Sequence, residues 1–370
     1  MSVIESVDEA TRQTLDRYGF DEQQFTVLRS RVCDGSLSPE SNVVRGRVEA
    51  PAAADITLLP EPGEDGYDEA RAAGIEALRA GLVASAVLNG GMATRFGGVV
   101  KGVVEAVDGK SFLELKLAQT GELARLLETS VPTAVMNSFA TDRATREFLS
   151  GRVANEPLSF SQYVSLRLER DCSLFHTRDG GVSLYSPGHG DFLAAFRHSG
   201  TLEQLRSRGV RYVMVSNVDN VPARLEPAVL GSHIGAGRPL TIEVSANTGE
   251  VGGAPALVDG RMQILESMRF PPGFDHSSLP ATNVNTMTFD IGALDRDFDL
   301  TWLFVEKSVE ERKAVQLEHL YHEATAFLPT TYLQVPIEGP RRRFLPVKTP
   351  ADLEAARAEL RDLMARPPLD

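Results

Sequence analysis

Cysteine is nearly absent from this chain: there are two in 370 residues, Cys33 and Cys172, and they do not stand in metal-ligand spacing. Nothing in their positions favours a bond between them, and so sparse a use of thiols fits the reducing cytoplasm. No run approaches the ~20 apolar residues of a membrane span. The N-terminus has no basic region leading into an apolar core, so no membrane partner is expected. Positive charge is also short, since 38 Lys and Arg against 51 Asp and Glu leave a net charge of −13. Nucleic-acid phosphates would be repelled by that balance except at a local basic patch. A small phosphorylated ligand needs only two or three local cations and remains compatible. What is present, 42% hydrophobic and 24% charged residues, is ordinary soluble globular composition, with length enough for one large domain or two.

The stretch from Ala84 to Lys101 organises the rest. Ala84–Leu88 is a short apolar run of the kind that forms a strand buried on both faces. Asn89-Gly90-Gly91 breaks it, Thr94-Arg95 follows, Gly97-Gly98 breaks it again, and Lys101 ends it. Glycines directly after a buried strand let the backbone turn sharply and leave its N–H groups open to a phosphate or a flat base. The lysine adds a point charge for phosphoryl oxygens. An ordinary glycine-rich strand-to-helix turn has the same look. The stretch is neither G-x-x-x-x-G-K-[ST] nor G-x-G-x-x-G, so neither the P-loop nor the dinucleotide fingerprint applies.

Along the chain, the spacing predicts helices over residues 5–31 with a break at Gly19-Phe-Asp, then an extended linker from Ser36 to Tyr67. Asp68–Gly81 is a helix whose apolar face holds Ala73, Ile75, Leu78 and Leu82. Gly102–Lys110 suits a strand closed by the Asp108-Gly109 turn. Ser111 with Glu114 forms a capping box for a helix to about Glu128. Pro132–Ser138 is a second buried strand and Asp142–Leu149 its helix. The alternation is that of a parallel sheet covered by helices on both faces. Ligands there meet the carboxyl ends of strands, where Gly90-Gly91 and Asn137-Ser138 fall.

Residues 158–186 read as β-rich and irregular. Ser186-Pro-Gly-His-Gly-Asp191 is a tight turn that presents His189 as an exposed imidazole, followed by a single helix from Phe192 to Arg208. Arg211–Asn220 is a buried strand whose tip carries Asn217, Asp219 and Asn220. A carboxylate there suits an Mg²⁺ that keeps several waters and bridges substrate phosphates, although capping the next turn is the plain alternative. Residues 239–245 and 254–268 read as strands extending the sheet. Alternation in Ala281–Phe289 puts Asn283 and Asn285 on one face, which suits a polyhydroxylated ligand. Lys313–Phe327 reads as a helix, Arg341-Arg-Arg as a solvated edge, and Lys348 as a cation beside a helix N-terminus started by Thr349-Pro350. Three parts are expected: N-terminal helices and linker over 1–73, a catalytic domain over 74–350, and a terminal helix over 351–370.

Several of these short words, in order, resemble the UDP-sugar pyrophosphorylases, above all the UTP–glucose-1-phosphate uridylyltransferases. Leu88-Asn-Gly-Gly-Met-Ala-Thr-Arg-Phe-Gly…Lys101 is similar to the family's L-N-G-G-L-G-T-x-M-G…P-K loop. Val135-Met-Asn-Ser-Phe and Phe160-Ser-Gln-Tyr resemble its L-M-N-S-F and F-x-Q segments. Pro187-Gly-His-Gly-Asp, Val215-Ser-Asn-Val-Asp-Asn, Thr282-Asn-Val-Asn and Phe344-Leu-Pro-Val-Lys-Thr complete the set. Ala93 departs from the family's glycine, and Val99-Val100 from its Gly-Pro. The leader from Ala73 looks closer to the N-acetylhexosamine relatives. About one helix follows Lys348, with no counterpart of the eukaryotic enzymes' C-terminal β-helix.

The resemblance implies a Rossmann-like, GT-A type nucleotidyltransferase with a mixed, mostly parallel sheet. It would join a nucleoside triphosphate, UTP first, to a sugar 1-phosphate, glucose 1-phosphate first, with Mg²⁺ and release of pyrophosphate. Gly90, Gly91, Met92, Ala93, Met136 and Gln162 would hold the base, and Gly188, His189 and Gly190 would line the nucleotide. Asn217, Glu266, Asn283 and Asn285 would face the sugar, Asp219 would hold the metal, and Lys101 and Lys348 would flank the reacting phosphates. A sibling acting on GTP, an N-acetylhexosamine phosphate or a carbocyclic phosphate would keep most of these motifs. A GT-A glycosyltransferase or a non-catalytic nucleotide-sugar sensor are the readings of another class.

Overall fold

The computed structural model describes residues 3–93, 98–153, 155–249 and 252–369. Its centre is an eight-stranded sheet in the order Thr57–Leu58, Thr330–Gln334, Leu240–Ala246, Ala281–Asp290, Tyr212–Asn217, Val83–Leu88, Thr133–Asn137, Leu158–Ser161. Ala281–Asp290 runs antiparallel to both neighbours, and every other pairing is parallel. The apolar run read as a doubly buried strand is one: all six residues of Val83–Leu88 are buried. Ala84, Ala86 and Leu88 pack on one face with Phe192, Phe196 and Leu205. Val87 packs on the other with Phe112, Leu115, Leu353 and Leu360. Helices therefore cover both faces, as alternating strands and amphipathic helices require.

Helix starts follow the sequence closely. Ser111 accepts from Glu114 N–H at 3.2 Å and Glu114 returns the bond to Ser111 N–H at 2.8 Å, starting the helix Phe112–Leu126. Thr349 and Asp352 do the same for Pro350–Ala365. The linker lies against the body, contributing Thr57–Leu58 to the sheet edge and Val48–Glu49 to a three-stranded sheet. The N-terminal helices Glu9–Arg17 and Glu22–Cys33 bury Leu15, Phe25 and Leu28 against Leu166, Leu168, Val315 and Leu317.

Several expectations are corrected. Cys33 and Cys172 form a disulfide, with Cα atoms 5.5 Å apart, so the two thiols on which a reducing compartment was inferred are bonded. The expected helix 192–208 is two, Asp191–His198 and Thr201–Ser207, parted by Gly200 at φ +80°. Ala254–Val258 and Arg261–Leu265 do not extend the main sheet but pair with each other, and Ala254–Val258 also with Val48–Glu49. Lys313–Phe327 is not helical: Leu303–Val309 and Arg312–Glu318 form a hairpin, and a 3₁₀ turn spans Tyr321–Ala326. Glu310 and Glu311 both take positive φ at its tip, held there by Arg178. A primed turn normally announces itself with Asn-Gly, and here it does not.

The basic triplet is likewise not a solvated edge. Arg343 is 1% exposed and forks onto Glu243 at 2.6 and 2.7 Å, with Glu226 at 3.3 Å. Arg341 bridges Glu226 at 2.7 Å and Glu61 at 2.8 Å. Breaking such a pair leaves a carboxylate buried without a partner, a loss of about 3–5 kcal/mol. Arg343→Met is expected to lower unfolding stability by that amount, read from urea denaturation at neutral pH. A change under about 1 kcal/mol would mean the charges are not buried as described.

Candidate active site

The carboxyl ends of three adjacent parallel strands, at Leu88, Asn137 and Asn217, point to one edge of the sheet. Asn89, 2% exposed, ties two of these tips together by donating to Asn137 Oδ1 at 2.8 Å and to Thr145 Oγ1 at 2.9 Å. Above them opens a cleft of about 920 Å³, lined by Gly90, Gly91, Lys101, Met136, Gln162, Gly188, His189, Asn217 and Asp219. Nine of the residues singled out in the sequence thus meet in one place. The backbone of Met92–Ala93 pairs with Val99–Val100, and Thr94-Arg95 lies outside the described residues.

Gly90 has a steric reason to be glycine. An added Cβ would stand 1.9 Å from Gln162 Oε1, so the amide and the glycine backbone form a single flat wall. Gln162 is held by its own N–H on Asn137 O at 2.9 Å. The next residue, Tyr163, donates its N–H to Asp191 at 2.9 Å, and Asp191 also pairs with His319 at 2.6 Å beneath Trp302. His319 in turn exchanges backbone bonds with Pro187 and Gly190, fixing the glycine turn that carries His189. Gly190 belongs to this scaffold, packed on His319, and is not part of the cleft lining.

His189 is not the exposed imidazole expected. It is half-buried, edge-on to Tyr321 with ring centres 5.0 Å apart and 5.8 Å from His322. Burial, with His322 beside it, pushes its pKa down to about 3, so the ring is neutral near pH 7. Tyr321 N–H donates to its Nδ1 at 3.2 Å, which places the ring proton on Nε2. His189 thus offers the cleft a hydrogen bond and not a charge.

Behind it lie the other residues assigned to a sugar. Asn285 donates to Asn217 Oδ1 at 3.3 Å, Asn283 is 3.4 Å from His322 Nδ1, and Glu266 is 3.9 Å from His322 Nε2. They adjoin the cleft without lining it. Simple alternation does not place the two amides: Asn285 sits at φ +57°, where the register against Glu243 and Val244 shifts. Asn is one of the few side chains that tolerates that conformation.

The charged end is closed by contacts between distant segments. Lys101 Nζ lies 2.8 Å from Asp219 Oδ2 and donates to Val347 O at 2.7 Å. Lys348, the next residue, is exposed and outside the cleft lining. Its N–H and that of Thr349 bond Asp352. Lys101 and Asp219 are therefore brought into contact, and Lys348 stands one residue from Lys101's acceptor. Below the Asp219 loop, buried Lys116 donates to Ser216 Oγ at 3.1 Å and to Ala223 O, its pKa pushed down by burial to about 7.

Sequence reading missed the opposite wall. Arg167, Lys307, Gln316 and Glu318 line it, linked by Arg167–Gln316 at 2.9 Å and by Gln316–Glu318. The alternation of Leu303 and Val305 was the available signal for the hairpin that brings three of them.

A glycine-walled cleft at the carboxyl edge of a mostly parallel sheet, with a lysine and a carboxylate in contact at one end, marks an α/β protein whose candidate site lies where such sheets take their ligands. The model of the UTP–glucose-1-phosphate uridylyltransferase family matches residues 68–366, and the chain belongs to that family. It is 31% identical over 292 residues to a probable UTP–glucose-1-phosphate uridylyltransferase of Schizosaccharomyces pombe, covering 74% of this chain and 58% of that protein. The chain thus spans less than two thirds of that relative's length. Among solved structures, a Trypanosoma brucei UDP-glucose phosphorylase superposes with TM-score 0.72 at 24% identity, covering 92% of this chain and 76% of that one. A Leishmania major UDP-glucose pyrophosphorylase mutant in complex with UDP-glucose gives TM-score 0.66 at 22% identity, covering 95% and 76%. At these identities the two structures show a shared fold.

Two predictions follow from the geometry. Gly90→Ala must displace the Gln162 amide and brings its Cβ to 3.3 Å from Asn137 O. Melting temperature should hold within a few degrees while the KM for nucleoside triphosphate rises about 10-fold or more in steady-state kinetics. His322, like His189, is held neutral by burial with a pKa near 3. The unfolded chain binds protons on these rings below about pH 6.5 and the folded one does not, so stability is complete above 6.5 and falls as pH drops toward 3. Each ring contributes up to about 1.4 kcal/mol per pH unit, and His322→Gln should lower the slope of unfolding free energy between pH 6.5 and 5.5 by about 1 kcal/mol per pH unit.

Proposed function

We propose that this protein is a sugar-1-phosphate nucleotidyltransferase of GT-A type that makes a UDP-sugar and pyrophosphate from UTP and a sugar 1-phosphate, with glucose 1-phosphate as first candidate. The observation that carries this is the meeting of Lys101 and Asp219 at the mouth of a glycine-walled cleft. Family membership and the UDP-glucose bound in the Leishmania relative point the same way.

The flat wall of Gly90, Gly91 and Gln162 suits a pyrimidine base, with Met136 beside it. Asn217, with Asn283, Asn285 and Glu266 behind it, suits sugar hydroxyls. An anionic oxygen of the sugar phosphate attacks the α-phosphorus, a P–O bond forms, and the bond to the β-phosphate oxygen breaks, pyrophosphate leaving with the electron pair. A phosphate oxygen is already ionised at neutral pH, so no general base is required. The obstacle is repulsion between two polyanions, and the protein's part is positioning and charge neutralisation. Lys101 supplies a cation at the cleft and Lys348 one at its edge, while His189 donates from Nε2 without adding charge.

No three His, Cys, Asp or Glu side chains converge on a metal position among the described residues. The Asp219 carboxylate beside the glycine wall fits Mg²⁺, which takes one or two carboxylates together with substrate phosphates and waters. Asp219 would hold it, and the ion would supply further neutralisation of phosphate charge.

Pyrophosphate release measured over UTP, GTP, TTP and ATP against several sugar 1-phosphates, with and without Mg²⁺, tests the reading. Release with UTP and one sugar phosphate is expected. Release of nucleoside diphosphate from a nucleotide-sugar would instead indicate a glycosyltransferase, and binding without turnover a sensor. Loss of one charge aimed at a transition state typically costs ~10²–10³ in rate, and Lys101→Ala, Lys348→Ala and Asp219→Asn should each fall by that much or more. Near-normal turnover in any of them would remove that residue from the mechanism.

A further inference from the structure

The groups at the charged end of the cleft come from three segments far apart in sequence, and a single buried amide sits where two of them cross. Asn220, 1% exposed, directly follows Asp219. Its Nδ2 donates to Arg343 O at 3.0 Å and its Oδ1 accepts from Leu345 N–H at 3.0 Å. Two residues further on, Val347 N–H meets Asp219 O at 3.4 Å, and Val347 O takes the Lys101 ammonium. Positions 343, 345 and 347 thus engage the Asp219 loop at strand spacing, although no strand is present there, and a side-chain amide plays the part of a strand neighbour.

We infer that Asn220 is a positioning residue: it locks the 343–347 segment, which carries Lys101's acceptor and leads into Lys348, to the loop that carries Asp219, so that both lysines and the acid share one frame. This inference rests on the reading of the cleft given above. Asn220 satisfies both halves of its amide on backbone and is buried, so its contribution is register. The segment is anchored upstream by Arg343 in the core and downstream by the Thr349–Asp352 capping box. Between those anchors, the Asn220 amide and the Asp219–Val347 contact hold it against the loop. The two ammonium groups and the carboxylate need fixed separation to act on one pair of phosphates, and misplacement by about 1 Å costs about 10²-fold.

The test has two arms on the full chain. In hydrogen exchange with mass readout, Asn220→Ala should speed exchange of peptides covering 341–349 by about 10-fold, with peptides of the central strands unchanged. In kinetics, kcat should fall about 10–100-fold while the KM values for UTP and sugar phosphate stay within about threefold. In a Lys348→Ala background the same change should cost less than it does in wild type, because part of its effect passes through that lysine. Asn220→Asp keeps the acceptor for Leu345 N–H but cannot donate to Arg343. It should speed exchange over 341–349 above wild type, the readout that serves if the alanine variant does not fold. Unchanged exchange over 341–349, or a loss fully additive with Lys348→Ala, would overturn the inference. Should wild-type protein release no pyrophosphate from any substrate pair, the functional reading fails, and the exchange arm alone decides whether Asn220 couples the two segments.

Discussion

Arg343 lies inside the protein with its fork closed on Glu243, in the middle of the sheet, and with Glu226 at the head of the helix Pro227–Ala236. Removing a guanidinium from water costs several kcal/mol, and only well-made pairs offset it. An apolar side chain of the same size would fill the space but tolerate a slip along the strand. The two-pronged ionic contact fixes one position along the chain as well as one face. From that point Leu345 and Val347 fall opposite Asn220 and Asp219, and Lys101 finds a carbonyl to bond. The closed end of the cleft is thus set by a charge 100 and 117 residues from the two carboxylates that hold it.

That distance explains what the sequence could and could not reveal. The glycine turn after Val83–Leu88, the two capping boxes and the strand tips at Asn137 and Asn217 are decided by neighbours within about one helical turn or strand, and local chemistry announces them. The basic triplet looks solvated because its partners Glu61, Glu226 and Glu243 are remote. The hairpin 303–318 was read as partly helical because its turn uses two glutamates held by Arg178. Its cleft residues Lys307, Gln316 and Glu318 were lost with it. His189 lines the cleft but is not exposed: the chain around it is polar and glycine-rich, and the rings that bury it, Tyr321 and His322, belong to another segment.

The same logic applies to the N-terminal arm. Its helices cover the base of the 303–318 hairpin and the turn near Cys172, through Leu15, Phe25 and Leu28 against Val315 and Leu317. The Cys33–Cys172 disulfide closes a loop of sequence separation 139 across that contact. Cross-links over long loops restrict the unfolded chain most in the entropy account of disulfides. The arm therefore supports the wall that carries Arg167 and Gln316 from behind, and the cleft's far side owes its position to residues that have no part in ligand contact.

Charge remains the apparent contradiction, since a chain of net −13 is read as binding two polyanions. Screening resolves it. At physiological ionic strength a charge is felt over about 8 Å, so acids dispersed over the surface matter less than those within a side chain's length of the cleft. There Lys101, Lys307 and Arg167 line the walls together with Asp219, Glu310 and Glu318, so the cleft itself is close to balanced and not acidic. Asp219 partly cancels Lys101 in their 2.8 Å contact, which leaves the pair close to neutral and leaves neither ion unpaired in a part-buried site. A neutral His189 fits the same pattern. A cationic imidazole would strengthen binding of both substrate and product phosphates, and uniform binding of that kind does not speed the chemical step. On the proposed reaction, a hydrogen bond from Nε2 would orient a phosphate without adding that uniform binding.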